Sequence, residues 1–97
     1  MLNNELNNKF NKALFYLDKG KIAEAKTILN EALEKTKDNS WFCVRINTVL
    51  GDLYFREGDI PNARKHLNEA LNTPLDEDMD DLVDYELELC KEILNKI

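Results

Sequence analysis

Residues 16–33 read YLDKGKIAEAKTILNEAL, and residues 54–71 read YFREGDIPNARKHLNEAL. Aligned without a gap they share nine of eighteen residues: the Tyr, Gly, Ile, Ala and Leu, then all of Asn-Glu-Ala-Leu. A match of that quality within 97 residues is an internal repeat, and a short period marks a stack of small helical units rather than one irregular globule.

The repeated positions have a physical reading. Gly20 and Gly58 each close one helical run and precede another, the place where a left-handed residue ends a helix. After the first glycine Ile22, Ala25, Leu29 and Ala32 recur on one helical face, with Ile28 and Leu33 adjoining; Ile60, Ala63, Leu67, Ala70 and Leu71 repeat the spacing. Pro61 falls in the first turn, where its missing N–H costs nothing. Upstream, Phe10, Ala13, Leu14 and Leu17 predict a first helix, and Ile46, Val49, Leu50, Leu53 and Tyr54 its counterpart. Each unit is a helix, a glycine turn and an antiparallel helix. Small residues pair across each turn, Ala13 with Ala25 and Gly51 with Ala63, where two helix axes approach closely.

These residues resemble the tetratricopeptide repeat family. Counted from residue 44, its Leu-Gly pair falls on Leu50 and Gly51 and its Tyr on Tyr54. The turn glycine falls on Gly58, the alanines on Ala63 and Ala70, the large apolar residue on Leu67, and the terminal Pro one place early on Pro74. Counted from residue 6, Ala13, Tyr16, Gly20, Ala25, Leu29 and Ala32 fill the same slots. The family's Trp position is Lys9 in one copy and Asn47 in the other, a departure in both. The resemblance implies an all-α, right-handed solenoid of two helix pairs in a single domain, 1–97, with repeats at 6–39 and 40–77. A final helix within 78–97 then caps the stack.

The copies stand 38 residues apart, four more than the family period. Asn39 or Ser40 can cap a helix N-terminus, so the insertion starts the third helix one turn early, at Trp41. That turn reads Trp-Phe-Cys-Val, which needs a cover.

The family's first helices line a concave groove. The resemblance places Asn7, Phe10, Leu14, Leu17 and Asp18 there from the first copy, and Arg45, Thr48, Asp52, Phe55 and Arg56 from the second. Helical spacing adds Trp41, one turn above Arg45. Aromatics, aliphatics and two arginines suit an apolar or amphipathic peptide. The other reading of Phe10, Leu14 and Trp41 is core in a short array. The Lys and Asn with which some family members grip a chaperone's C-terminal carboxylate are replaced here by Phe10 and Leu14.

The last segment supplies the competing contact. Over a final helix of about 18 residues, Leu82, Val83, Tyr85, Leu87, Leu89, Cys90, Ile93, Leu94 and Ile97 spread over an arc of about 200°, wider than docking on one neighbour requires. A stripe such as Val83–Leu87–Cys90–Leu94 is therefore expected to stay partly bare and to meet a second copy, giving a homodimer, or another protein; a core that wraps both sides is the alternative. Glu86 lies within this apolar arc and is expected to reach its edge.

Charge narrows the partners. The chain carries 13 basic and 19 acidic residues, a net charge of −6. Residues 76–97 hold nine acids and two bases, so the rest is close to neutral. That excludes nucleic acid as a main partner and disfavours an anionic membrane surface. No apolar run has the length of a signal or transmembrane segment, and Cys43 and Cys90 show no disulfide spacing, which favours a cytoplasmic setting.

Chemistry finds no foothold. Asp76, Asp78 and Asp80 alternate as in a calcium loop, but Asp81 stands where the turn glycine belongs and Leu87 where the bidentate Glu belongs. Acids there suit a helix N-terminus instead. His66 lacks a second metal ligand or a nucleophile in register, and no phosphate-binding glycine motif exists. No cofactor, metal or enzymatic activity is expected. Met1 and the terminal helix fit a complete chain, with a piece of a longer repeat protein as the alternative. The excess of Lys, Asn and Ile fits an AT-rich bacterial genome.

Overall fold

The computed structural model describes residues 4–76 and 82–97. Among them it contains five helices and no strand: α1 (Asn4–Asp18), α2 (Ile22–Leu33), α3 (Ser40–Arg56), α4 (Ile60–Asn72) and α5 (Asp84–Lys96). α1 pairs with α2 and α3 with α4, α2 packs on α3, and α5 packs on both α3 and α4.

Each boundary has a local cause. Gly20 and Gly58 take φ of +77° and +81°, the left-handed turn that separates the helices of each pair. Backbone N–H groups just beyond them, at Lys21 and Asp59, reach back to the carbonyls of Tyr16 and Tyr54, so both turns close in the same way. α3 begins at Ser40 because the Asn39 side chain accepts from the Phe42 N–H at 3.2 Å. The first turn of α3 thus lies in the inserted residues. α4 begins with Asp59 accepting from Asn62 N–H, and Pro61 stands in its first turn.

Two apolar clusters share α3. Leu6, Phe10 and Ala13 meet Ala25, Leu29 and Ala32 and one side of α3, namely Phe42, Ile46, Leu50 and Leu53. Val44, on the opposite side, joins Ala63, Leu67 and Ala70 with Val83, Cys90 and Ile93. The repeated alanines 25, 32, 63 and 70 are all fully buried, where a small side chain lets helix axes close. Gly51 makes the tightest approach: a Cβ there would lie 2.5 Å from Leu67 Cδ2.

The Trp-Phe-Cys-Val turn finds its cover inside the chain. Phe42 and Val44 are fully buried, and the Phe42 ring meets Phe10 edge-on with centroids 6.1 Å apart. Trp41 packs against both clusters. The chain's radius of gyration is 12.6 Å, against about 13 Å for a globule of 100 residues, so two helix pairs and one further helix have not yet become an elongated rod.

The wide apolar arc of the last helix is largely consumed by its two neighbours. Val83 and Cys90 are fully buried and Leu87 and Leu94 partly so, all against α3 and α4. This corrects the expectation of a partly bare stripe at Val83 and Cys90, whereas Leu87 and Leu94 keep part of their surface exposed. Docking on two helices rather than one uses the extra width. Leu82 and Tyr85 are the apolar residues of this segment that remain exposed. The described helix has 13 residues, and residues 77–81, four of them acidic and with most of the calcium-loop pattern, lie outside the described residues.

Candidate functional site

α1, α3 and α5 together line one cleft of about 290 Å³. α1 supplies Phe10, Leu14 and Leu17; α3 supplies Arg45, Thr48, Val49, Asp52 and Leu53; α5 supplies Tyr85, Glu86 and Leu89. The walls follow from helical spacing. Residues 10, 14 and 17 lie on one stripe of α1, and 45, 48, 49, 52 and 53 on one stripe of α3. Leu14 is 39% exposed and Tyr85 75%, so both apolar side chains face solvent at the cleft.

The floor is held by one arginine. Arg45 places its guanidinium 4.7 Å from the centre of the Phe10 ring and 5.0 Å from that of Trp41. Its Nε also lies 3.3 Å from Glu86 Oε2, with the two side chains only 30% and 19% exposed. Glu86 therefore turns inward to a cation on the neighbouring helix, not outward to the edge. Beside it, the Thr48 hydroxyl donates to Val44 O at 2.8 Å and lies 3.2 Å from Cys90 Sγ, so the thiol donates to Thr48. Burial pushes the Cys90 thiol up, and the charge of Glu86 adds to this.

Six of the eleven expected groove residues meet here: Phe10, Leu14, Leu17, Arg45, Thr48 and Asp52; Asp18, the last residue of α1, is exposed and does not line the cleft. Asn7 and Arg56 are exposed but do not line the cleft, and Arg56 pairs with Asp52 one turn away at 3.2 Å. Phe55 packs partly buried on the α3–α4–α5 cluster. Trp41 lies behind Arg45, and its indole N–H is buried with no hydrogen-bond partner among the described residues. Phe10 and Thr48 are buried, so they shape the cleft from beneath. Sequence reasoning missed Tyr85, Glu86 and Leu89 as its third wall. The helical spacing of Tyr85 and Leu89 was available, but not the direction in which that face points.

A second cleft, of about 650 Å³, lies between α2 and α4. Its walls are mainly polar, with Asn30, Glu31, Glu34, Asn62, Lys65 and Glu69 around Tyr54 and His66. It overlies a buried polar chain. His66, 5% exposed, places Nδ1 2.9 Å from Asn47 Oδ1, and Asn47 Nδ2 donates to Cys43 Sγ at 3.5 Å. Cys43 Sγ lies 3.6 Å from Thr73 Oγ1, whose own proton goes to Glu69 O. With its Nδ2 on the thiol, the Asn47 amide offers only oxygen to His66, which sets the Nδ1–H tautomer. Tyr54 stacks on the imidazole, 5.5 Å away at 6°, and Lys26 Nζ sits 4.8 Å from the centre of the Tyr54 ring. Burial lowers the His66 pKa, with Glu69 opposing and Lys65 adding. The Asn47 that departs from the repeat pattern is thus the bridge between α3 and α4.

Two comparisons gave no match, one with curated proteins and one with solved structures. The third found that a family profile described as tetratricopeptide repeat matches residues 6–39 and 44–73. The chain belongs to the tetratricopeptide repeat family. The second match begins at residue 44, so the inserted turn of α3 precedes the repeat proper. Tetratricopeptide repeats generally mediate protein–protein interactions and are typically non-enzymatic. Among the described residues no group of three or more His, Cys, Asp or Glu could hold a metal ion, and no helix is long and apolar enough to cross a membrane.

Proposed function

We propose that this tetratricopeptide repeat protein is an adaptor or regulatory module that captures a peptide segment of another protein in the α1–α3–α5 cleft. Its two repeats form two walls, and the final helix both closes the stack and forms the third. The observation that supports this is the pairing of exposed apolar groups, Leu14 and Tyr85, over a cleft whose deeper lining is Phe10, Leu53 and Leu89. At about 290 Å³ the cleft is at the lower limit for a small-molecule site and suits one or two side chains of a protein ligand. Free thiols at Cys43 and Cys90 fit a cytoplasmic, reducing setting.

The test is a selection of random 12-residue peptides on the immobilised full chain, followed by rebinding to Leu14→Asp. Leu14 is exposed enough for the variant to keep its circular dichroism spectrum. Enriched peptides should lose binding to the variant. Peptides that bind both proteins equally would place the site elsewhere and refute the reading.

A further inference from the structure

Resting on that reading of the cleft, we infer that its occupant is a cationic amphipathic segment: an apolar anchor with Lys or Arg close by, not an acidic peptide or a free carboxylate. The cleft lining contains three charged groups, Arg45, Asp52 and Glu86. The one cation is already engaged, over the rings of Phe10 and Trp41 and paired to Glu86. Among the lining residues a carboxylate meets no unpaired cation, and it meets two other carboxylates, Glu86 and Asp52.

A cation meets the reverse. Asp52 is paired with Arg56, whose side chain is 73% exposed and joined to it only as a surface (i, i+4) pair. Such pairs are weak, so a partner's Lys or Arg exchanges with Arg56 at little cost. Tyr85 presents an aromatic face at the same cleft, a second favourable contact for a cation. The apolar share of the lining rewards the anchor side chain. The sequence from residue 76 onward, α5 included, carries a net charge of −7, which favours the approach of such a segment at long range. Among the described residues there is no sheet edge for strand addition, which leaves side-chain capture as the mode.

Three fluorescein-labelled 12-residue peptides test this, sharing one Leu/Ala face and carrying all Lys, all Gln or all Glu on the other. Anisotropy titrations use the full chain. The Lys peptide should bind about five- to tenfold tighter than the Gln peptide, and the Glu peptide weakest, with the Lys advantage fading at high salt. Asp52→Asn should weaken the Lys peptide about threefold while leaving the Gln peptide unchanged, as a two-group contact predicts. Glu24→Gln, on the exposed surface of α2, controls for net charge and should have less effect than Asp52→Asn. Equal binding of Lys and Gln peptides, both lost in Leu14→Asp, overturns the inference while leaving the cleft reading intact. So does a Lys preference that Asp52→Asn and Glu24→Gln reduce equally. Tightest binding of the Glu peptide, with a change in Trp41 fluorescence, overturns it in favour of an acidic ligand that displaces Glu86. Binding of none of the three refutes the cleft reading itself.

Discussion

Removing one partner of the Arg45–Glu86 pair should loosen the final helix from the repeats. The pair spans α3 and α5 at 3.3 Å with both side chains largely enclosed. Exposed ion pairs contribute about 0.2–1 kcal/mol, whereas breaking a fully buried pair costs about 3–5 kcal/mol. With 30% and 19% exposure this one lies between, so Glu86→Gln should cost about 1–2 kcal/mol. Arg45→Gln loses two ring contacts as well, each about 0.5–1 kcal/mol, for a total of about 2–4 kcal/mol. In a domain this size each kcal/mol moves Tm by about 4–8 °C. Urea unfolding reports this well, because Trp41 is the sole tryptophan and stands against the Arg45 guanidinium. The double variant should be less damaged than the sum of the two, with a coupling of about 1–2 kcal/mol. Coupling below about 0.3 kcal/mol, within the error of additivity, would refute the view that this pair holds α5 in place.

Three further perturbations test the packing. Gly51→Ala drives a Cβ to 2.5 and 2.6 Å from the Cδ2 and Cγ of a fully buried Leu67, so overpacking of about 1–3 kcal/mol should outweigh the roughly 1 kcal/mol gain in helix propensity; an unchanged or raised Tm contradicts it. Asn39→Ala removes the cap of α3 and should cost about 0.5–2 kcal/mol in thermal unfolding, with Asn39→Asp close to wild type. His66 has its pKa lowered by burial, so the folded state binds fewer protons than the unfolded chain. Stability is therefore complete above the ordinary histidine pKa of 6.5 and is lost as pH falls below it. Urea midpoints should drop between pH 7.5 and 5.5 in wild type and stay flatter in His66→Asn; equal slopes would remove His66 as the cause.

The helix pairs were legible because packing demands are periodic. Small residues 25, 32, 63 and 70 and the glycines at 20 and 58 recur where close approach and reversed turns are required, and all fall as expected. The early start of α3 was legible from Asn39 for the same local reason. The orientation of α5 was not. An apolar arc of about 200° does not say which part turns inward, and the choice depends on a cation that α3 presents 41 residues earlier, together with Thr48 opposite Cys90. Hence six of the eleven lining residues, all on α1 and α3, are among those the sequence points to, whereas the third wall of Tyr85, Glu86 and Leu89 is not; the α5 surface expected from the sequence is Val83, Leu87, Cys90 and Leu94. The buried chain Thr73–Cys43–Asn47–His66 joins residues from different elements, so no local spacing announces it. One clue existed: His66 falls in the stripe of Ala63, Leu67 and Ala70, the buried face of α4.

In the proposed function the partner binds one cleft, built by both repeats and the final helix together. Amide chemical-shift mapping of the full chain with a selected peptide tests it most directly. The largest shifts should fall on Leu14, Leu17, Asp52, Tyr85 and Leu89, drawn from all three walls. Shifts gathered instead on Asn30, Asn62, Lys65 and Glu69, the polar cleft between α2 and α4, would contradict it.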